Sequence, residues 1–384
     1  MTAAAVDEFV RLRYPEDAVP VTRWHDAVEV LRTPALLRET GEGAFFHGTV
    51  DKINGEEHTL RRRTFSPAFR QGPLETYRRD LLLPALERLL PQSGERADLA
   101  PLAERIFLHF AAGLVGIEDA GDPERSEVLR RLYRVFSAAE GVRHAHEPAA
   151  DVFAEAQAAL DEYVERFLLP SLRSHERRED ESLMTLFAQR ADPAWHDPEQ
   201  LAREAALFVI ASVDTSASFL VHLMDELWRW FAAHPEDAAL RGDAGFLRLA
   251  VDEALRLHPN LPESPRVAAE DVVLANGIEV RAGRHVLVRK DLVNRDPEVF
   301  GSDADRFDPR RETAAGVPRY GISFGAGAHK CIGLPVVFGQ DGLGSHAQVA
   351  IRLFAAGMEP DPDRRPVKAA TYIDRFESYP VVLR

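Results

Sequence analysis

The chain has one cysteine, Cys331, standing in Phe324-Gly325-Ala326-Gly327-Ala328-His329-Lys330-Cys331-Ile332-Gly333. A lone cysteine forms no intrachain disulfide and no cysteine-only zinc site, and inside a core it is ordinarily an inert small hydrophobe. The neighbours argue for chemistry instead. Glycines at 325, 327 and 333 let the backbone turn tightly and approach a flat group closely. Backbone N–H groups of such a turn can donate to a sulfur, and Phe324 would shield it. One thiolate held this way can serve as the single protein ligand of a haem iron.

Three other groups of residues could act on such a cofactor. Asp214 and Thr215 are an adjacent acid and alcohol set among apolar residues, where burial costs free energy unless both are hydrogen-bonded. They read either as a helix-bending threonine beside a solvated acid or as a proton-handling pair. Glu253 and Arg256 stand at i, i+3, which puts opposite charges on one helix face. His58 and Arg62 share a face at i, i+4, a cationic surface suited to carboxylates; Arg61 and Arg63 read as its solvated flank.

The elements that must position these residues are mostly helical. Apolar residues recur at helical spacing over 81–90, 102–114, 128–138 and 154–169, with Pro84 as a helix start or a kink. The longest pattern runs from Asp197-Pro198 to His234-Pro235 with no internal proline or glycine. It is apolar on nearly all sides around Leu207 to Ile210, which predicts a central buried helix carrying Asp214 and Thr215. Strand signals are short: 18–22, 272–274 and 278–280 around an Asn276-Gly277 hairpin turn, and 285–288. The expected fold is mostly α with a small antiparallel β-sheet region.

Taken together, the cysteine turn, the Glu253–Arg256 pair, the His58–Arg62 face and the Asp214-Thr215 pair resemble the cytochrome P-450 superfamily of haem-thiolate monooxygenases, in its soluble bacterial form. The resemblance is carried by residues 58 to 333. It implies haem b as cofactor, with Cys331 as axial iron ligand and Phe324, Gly325 and Gly333 forming its cradle. It assigns propionate contacts to His58, Arg62, His329 and Arg266, the last in Pro265-Arg266-Val267-Ala268. It makes Glu253 and Arg256 a structural ion pair joined by a downstream basic residue, for which Arg306 is the candidate. It gives Asp214 and Thr215 a role in proton delivery, since oxygen activation needs protons that a positioned hydroxyl and water can supply. By analogy the substrate pocket draws on Phe45, Phe46, Ala211, Leu261 in Leu261-Pro262-Glu263, Tyr372 and Ile373. A mobile lid would fall at 141–147, where His144 and His146 lack a third ligand for a metal.

Two departures from the family pattern stand out. Ser212 occupies the place of a glycine that relaxes the central helix and leaves room for dioxygen. After Cys331 the family's helix runs on directly, whereas here Pro335, Gly339, Gly342 and Gly344 interrupt it around an Asp341-Gly342 turn. Helix is expected to resume at 346–355 with Ser345 as N-cap. The insertion lies on the cysteine side, where the family docks its electron donor, and reads either as altering partner choice or as a neutral surface loop; Lys330 beside the cysteine could add local positive charge.

Composition agrees with this reading and excludes others. A chain of 384 residues with 45% hydrophobic and 28% charged residues is ordinary for a globular protein, and no linker, low-complexity block or repeat divides it, so residues 1–384 are expected to form one domain. A net charge of −15 argues against a nucleic-acid partner. The N-terminus lacks the apolar run of a signal or anchor, which predicts a soluble, cytoplasmic protein. The expected activity is insertion of one oxygen atom from dioxygen into a small-to-medium organic substrate. Electrons would come from a ferredoxin-type partner and its NAD(P)H-dependent reductase. The alternatives are a peroxide-driven peroxygenase or decarboxylase, and a non-enzymatic haem-binding scaffold.

Overall fold

The computed structural model describes residues 3–41, 43–142, 150–190, 197–339, 343–369 and 373–384. Its helices are α1 (Ala3–Arg13), α2 (Trp24–Arg32), α3 (Gly55–Phe65), α4 (Gln71–Tyr77), α5 (Leu83–Leu89), α6 (Leu99–Val115), α7 (Pro123–Gly141), α8 (Ala150–Tyr163), α9 (Leu169–His175), α10 (Leu183–Arg190), α11 (Pro198–Ala233), α12 (Ala244–Leu257), α13 (Lys290–Val293), α14 (Pro297–Phe300), α15 (Leu334–Phe338) and α16 (Ser345–Ala355). Its strands are β1 (Val19–Val21), β2 (Leu36–Arg38), β3 (Arg96–Asp98), β4 (Glu263–Ala268), β5 (Val272–Val273), β6 (Glu279–Val280), β7 (His285–Arg289), β8 (Met358–Pro360), β9 (Val367–Lys368), β10 (Phe376–Ser378) and β11 (Pro380–Leu383).

The chain folds as two compact units. The first comprises Met1–Glu39, Pro91–Ala100 and Ser218–Arg384, and holds all the described strands. Its main sheet has the order β1-β7-β4-β2. Most pairings are antiparallel, as expected, but β1 runs parallel to β7, Val19 opposite Val286. These two strands are separated by most of the chain, so no hairpin constrains their direction. Against the sheet, Trp24, Val30 and Leu31 of α2 meet Val286, Val288, Val293 and Phe300 in one apolar cluster. The Asn276-Gly277 hairpin joins β5 to β6, with Gly277 at φ +86° and the Asn276 side chain accepting from Ile278 N at 3.0 Å.

The second unit, Thr40–Leu90 and Pro101–Ala217, is helical. Asp122 caps α7 by accepting from Arg125 N at 2.9 Å, and Pro123 sits where no amide donor is needed. Pro84 stands at the second position of α5, in its first turn, as a helix-start proline does. The preceding residues Arg78–Leu82 widen into a π turn, so that Leu83 N bonds Arg78 O. Val164–Leu168 does the same ahead of Pro170 at the start of α9. A proline cannot donate to the carbonyl one turn back, and the wider turn carries the helix past it.

Helix α11 has the expected ends and 36 residues, about 54 Å at ~1.5 Å per residue. It is the one helix among the described residues long and apolar enough to cross a membrane, but 72% of its most apolar window is buried inside the protein, the signature of a core helix.

Candidate functional site

The cysteine turn begins at a buried asparagine. Asn294 is fully enclosed; its side chain accepts from Ile322 N at 2.7 Å and donates to Arg256 O and Ser323 Oγ, each at 2.9 Å. A Cβ on Gly321 would lie 2.2 Å from the Asn294 oxygen, so only glycine admits this wedge. Gly325 N then donates to Ile322 O, and Cys331 N to Phe324 O, both at 2.8 Å. Gly327 has φ +70° and presses on the end of α2, where a Cβ would come within 2.2 Å of Leu31 O. Phe324 is half-buried, 5.3 Å from the Tyr320 ring and 5.8 Å from that of Phe338. His329 ends the short Gly327–His329 turn, and Gly333 caps α15. The Cys331 thiol is exposed, although Ile322 and Val336 to Phe338 around it are buried.

Positive charge gathers beside this turn, in the same unit. Arg266 on β4 is buried and pairs across the sheet with Arg38 on β2. Lys290, first residue of α13, is 5% exposed. Its burial, then the cations of Arg38 and Arg266, push its pKa down to about 8 against the pull of Glu263 and Cys331. Sequence reasoning missed Lys290, Arg38 and Asn294; only Lys290 carried a signal, as one of four lysines in an arginine-rich chain.

The Glu253–Arg256 pair forms as expected, with Arg256 donating from Nε and one terminal nitrogen to the two Glu253 oxygens at 2.8 and 2.7 Å. The third member is Arg311, not Arg306. Arg311 Nε donates to Glu253 Oε1 at 3.0 Å and the side chain is buried, whereas the Arg306 side chain is exposed. Arg306 takes part through its carbonyl alone, which accepts from Arg256 and Arg311. The remaining Arg256 nitrogen donates to Asn294 O and Ala304 O, at 2.7 and 2.6 Å.

In the helical unit, α3 turns His58 inward, fully buried, with Arg62 half-buried on the same face. Arg63 is exposed as expected. Arg61 is not: it is buried and donates to Glu204 at 3.1 Å, to Gly48 O at 2.6 Å and to Glu57 at 2.6 Å. Burial pushes the Glu204 carboxyl up to about 7, only partly countered by the Val50 amide and Arg61.

Along α11, Ala211 is exposed amid buried neighbours, so the helix opens onto a space at that point. Thr215 Oγ1 donates to Ala211 O at 2.7 Å. Asp214 is anchored by two hydroxyls of α7: Tyr133 OH donates to one carboxylate oxygen and Ser137 Oγ to the other, the latter at 2.6 Å. Neither hydroxyl was read from the sequence, although Tyr133 and Ser137 stand at i, i+4.

The pocket candidates divide. Phe46 is fully enclosed, 5.0 Å from the Phe45 ring and 6.4 Å from Phe136, which makes it core rather than wall. Phe45 is also buried, under the Arg203 guanidinium. Leu261 is half-buried before β4. Ile373 packs against Tyr14 and Leu287. Tyr372, the lid histidines His144 and His146, and the Asp341-Gly342 turn lie outside the described residues. The interruption after Cys331 is present: α15 ends at Gly339, φ +61°. The cap of α16 is Gly344 rather than Ser345, because a Cβ at 344 would fall 1.8 Å from Val337 O.

These residues fit a flat, metal-bearing group with carboxylate arms. An exposed thiol stands in a turn that only glycines can make, and cations for carboxylates lie beside it; the helical unit carries a second cationic face on α3. Comparison with known proteins agrees. The family description Cytochrome P450 matches residues 37–336. The mycinamicin VIII C21 methyl hydroxylase of Micromonospora griseorubida is 29% identical over 316 residues, covering 80% of this chain and 73% of that one. The nocardicin C N-oxygenase of Nocardia uniformis subsp. tsuyamanensis is 29% identical over 351 residues, covering 86% and 81%. Among solved structures, the ligand-free cytochrome P450 TbtJ1 superposes with a TM-score of 0.77 at 23% identity, covering 100% of this chain and 98% of that one.

Proposed function

Given that the chain belongs to the cytochrome P450 family and is a haem monooxygenase, we propose that Cys331 would hold the iron of a haem b in a single catalytic domain spanning residues 1–384. The enzyme transfers one oxygen atom from dioxygen to a small-to-medium organic molecule, by hydroxylation or epoxidation. The observation that carries the assignment is the exposed thiol at the close of a turn with Gly325 and Gly327 at positive φ and no room for a side chain at Gly327.

The haem, when bound, supplies the redox centre at which dioxygen is reduced and one of its atoms passed to substrate. The chain's own groups bind and deliver. Arg266 and His329 would hold carboxylate arms through charge-assisted hydrogen bonds, a role that the family resemblance also gives to His58 and Arg62 of α3. Thr215 rests with its proton on Ala211 O, leaving its oxygen lone pairs free to orient a water. Handing a proton onward requires breaking that bond, which costs about 1 kcal/mol. Asp214, fixed by Tyr133 and Ser137, accepts protons next to it. Ser212, half-buried one turn from Ser216, adds a hydroxyl where the family has none. Electrons come from a ferredoxin-type protein and its NAD(P)H-dependent reductase in the cytoplasm. The names of two relatives, a mycinamicin VIII C21 methyl hydroxylase and a nocardicin C N-oxygenase, support oxidation of an organic molecule, and a role in biosynthesis is proposed with it.

The test is the absorption spectrum of the reduced protein under carbon monoxide. A thiolate-ligated haem gives a strongly red-shifted Soret band, and Cys331→Ala removes it. A globin-like Soret position in the unmodified protein would sink the assignment. Turnover with reduced ferredoxin but not with peroxide alone separates the monooxygenase from a peroxygenase.

A further inference from the structure

The sheet of the first unit places like charges together. In the β2–β4 register Arg38 stands directly opposite Arg266, and like charges at opposed positions repel. Lys290 adds a third cation: it follows β7, whose Arg289 pairs with Glu263 of β4, and Asp291 N bonds Pro262 O at 3.2 Å. Glu263 is the carboxylate of this group, and it already accepts from Tyr14 OH at 3.0 Å. The Lys290 side chain is nineteen-twentieths buried. Its ammonium makes no hydrogen bond or ion pair among the described residues. A buried ammonium without a partner costs several kcal/mol, and it is kept where an anion arrives to share the charge. Lys290 opens the helix capped by Asn294, whose side chain bonds Ile322 N and Ser323 Oγ where the cysteine turn begins.

We propose that Lys290 is a further cofactor-binding residue: its ammonium, with Arg38 and Arg266, clamps a carboxylate arm of the haem bound at Cys331. The proposal rests on the haem-thiolate reading above. Resemblance assigned Arg266 alone in this unit's sheet. The added lysine would convert a one-arginine contact into a three-cation clamp, and the cost of burying the Lys290 ammonium would be relieved when the carboxylate is seated.

The test is titration of apoprotein with haemin and with haemin dimethyl ester, whose arms are uncharged, followed by growth of the Soret band. Lys290→Gln should weaken haemin binding about tenfold or more, the loss of one charge-assisted hydrogen bond, and leave the ester's affinity unchanged. Lys290→Arg should restore haemin binding. The denaturation midpoint of the Lys290→Gln apoprotein should equal or exceed that of the unmodified apoprotein, because an unpaired buried charge has been removed. Equal losses for haemin and ester would make Lys290 a packing residue and overturn the proposal. So would unchanged haemin affinity combined with weaker binding of a fatty-acid anion, which would assign the lysine to substrate. Failure of the unmodified protein to bind haemin would fall on the underlying reading first, before any variant is compared.

Discussion

Replacing Arg311 by Met tests which arginine completes the buried ion pair. Arg311 donates to Glu253, to the carboxylate and carbonyl of Asp303, and to the carbonyls of Phe300 and Arg306, at 2.6 to 3.0 Å. Its side chain is 5% exposed, that of Glu253 3% and that of Arg256 0%. Arg311→Met keeps the volume but strips Glu253 of one cation and leaves the buried carbonyl of Phe300 without its donor. Removing one partner of a buried charge pair costs about 3–5 kcal/mol, out of roughly 5–15 for a folded domain. The folding equilibrium should fall by about two to four orders of magnitude. Arg306→Ala removes only an exposed side chain, leaves the carbonyl in place, and should stay within about 0.5 kcal/mol. Urea unfolding followed by far-ultraviolet circular dichroism reads both, provided the slope with denaturant is unchanged. Equal losses in the two variants, or a loss under about 1 kcal/mol for Arg311→Met, would refute the assignment.

Other predictions follow from the same geometry. Tyr133→Phe deprives Asp214 of one of its two α7 hydroxyls, a charged hydrogen bond of about 1.5–3 kcal/mol; product formed per NAD(P)H consumed should drop, and unchanged coupling with unchanged stability would dismiss the anchor. Gly327→Ala forces a Cβ against Leu31 O at φ +70°, so purified protein should carry much less haem, while full occupancy would show that the turn yields. His258 is the pH-sensitive group. Burial lowers its pKa, but hydrogen bonds to Asp374 and to Glu226, the latter at 2.8 Å, outweigh it and raise the value above 6.5. Its stabilising charge is therefore fully present below about 6.5 and lost as pH rises through the folded value. The stacked His222, 4.3 Å away, is pushed down by burial and by His258, and favours folding above about 6.5. His258→Gln should flatten the loss of stability as pH rises above about 6.5; an unaltered stability–pH curve would discount the ion pairs. Both ring nitrogens of His258 already face carboxylates, and Lys368 occupies the other Asp374 oxygen at 2.7 Å, so zinc addition should not raise the melting temperature.

What the sequence disclosed depended on how local the cause was. The ends of α11 were legible because Pro198 and Pro235 act within one turn, and the β5–β6 hairpin because Asn276-Gly277 alone dictates it. The third arginine was not. Residues 301–311 have no periodicity, and three arginines there meet different fates: Arg306 is exposed, Arg310 pairs with Asp237 at 2.8 Å, and Arg311 enters the core. Only the closed loop decides among them. Ser345 looked like a cap by residue type, yet steric closeness of Gly344 to Val337 O moved the cap by one residue. Arg61 and Arg63 were alike on paper; the position of Glu204 on α11 separated them. The cations around Lys290 come together through the antiparallel β2–β4 and β4–β7 registers, which join strands far apart in the chain.

The hydrogen bonds of Asn294 have a consequence for the order of assembly. Its side chain ties the end of α12, at Arg256, to Ile322 and Ser323 at the start of the cysteine turn, while Arg256 gathers the carbonyls of Asn294, Ala304 and Arg306. Each of these closures spans tens of residues, and loop entropy must be spent before any of them is rewarded. The turn that presents Cys331 can therefore be fixed only after α12, α13 and the 304–311 segment have met. The thiol should thus be presented late in folding, after these helices have formed, and native-state hydrogen exchange of the 321–331 amides would check this order.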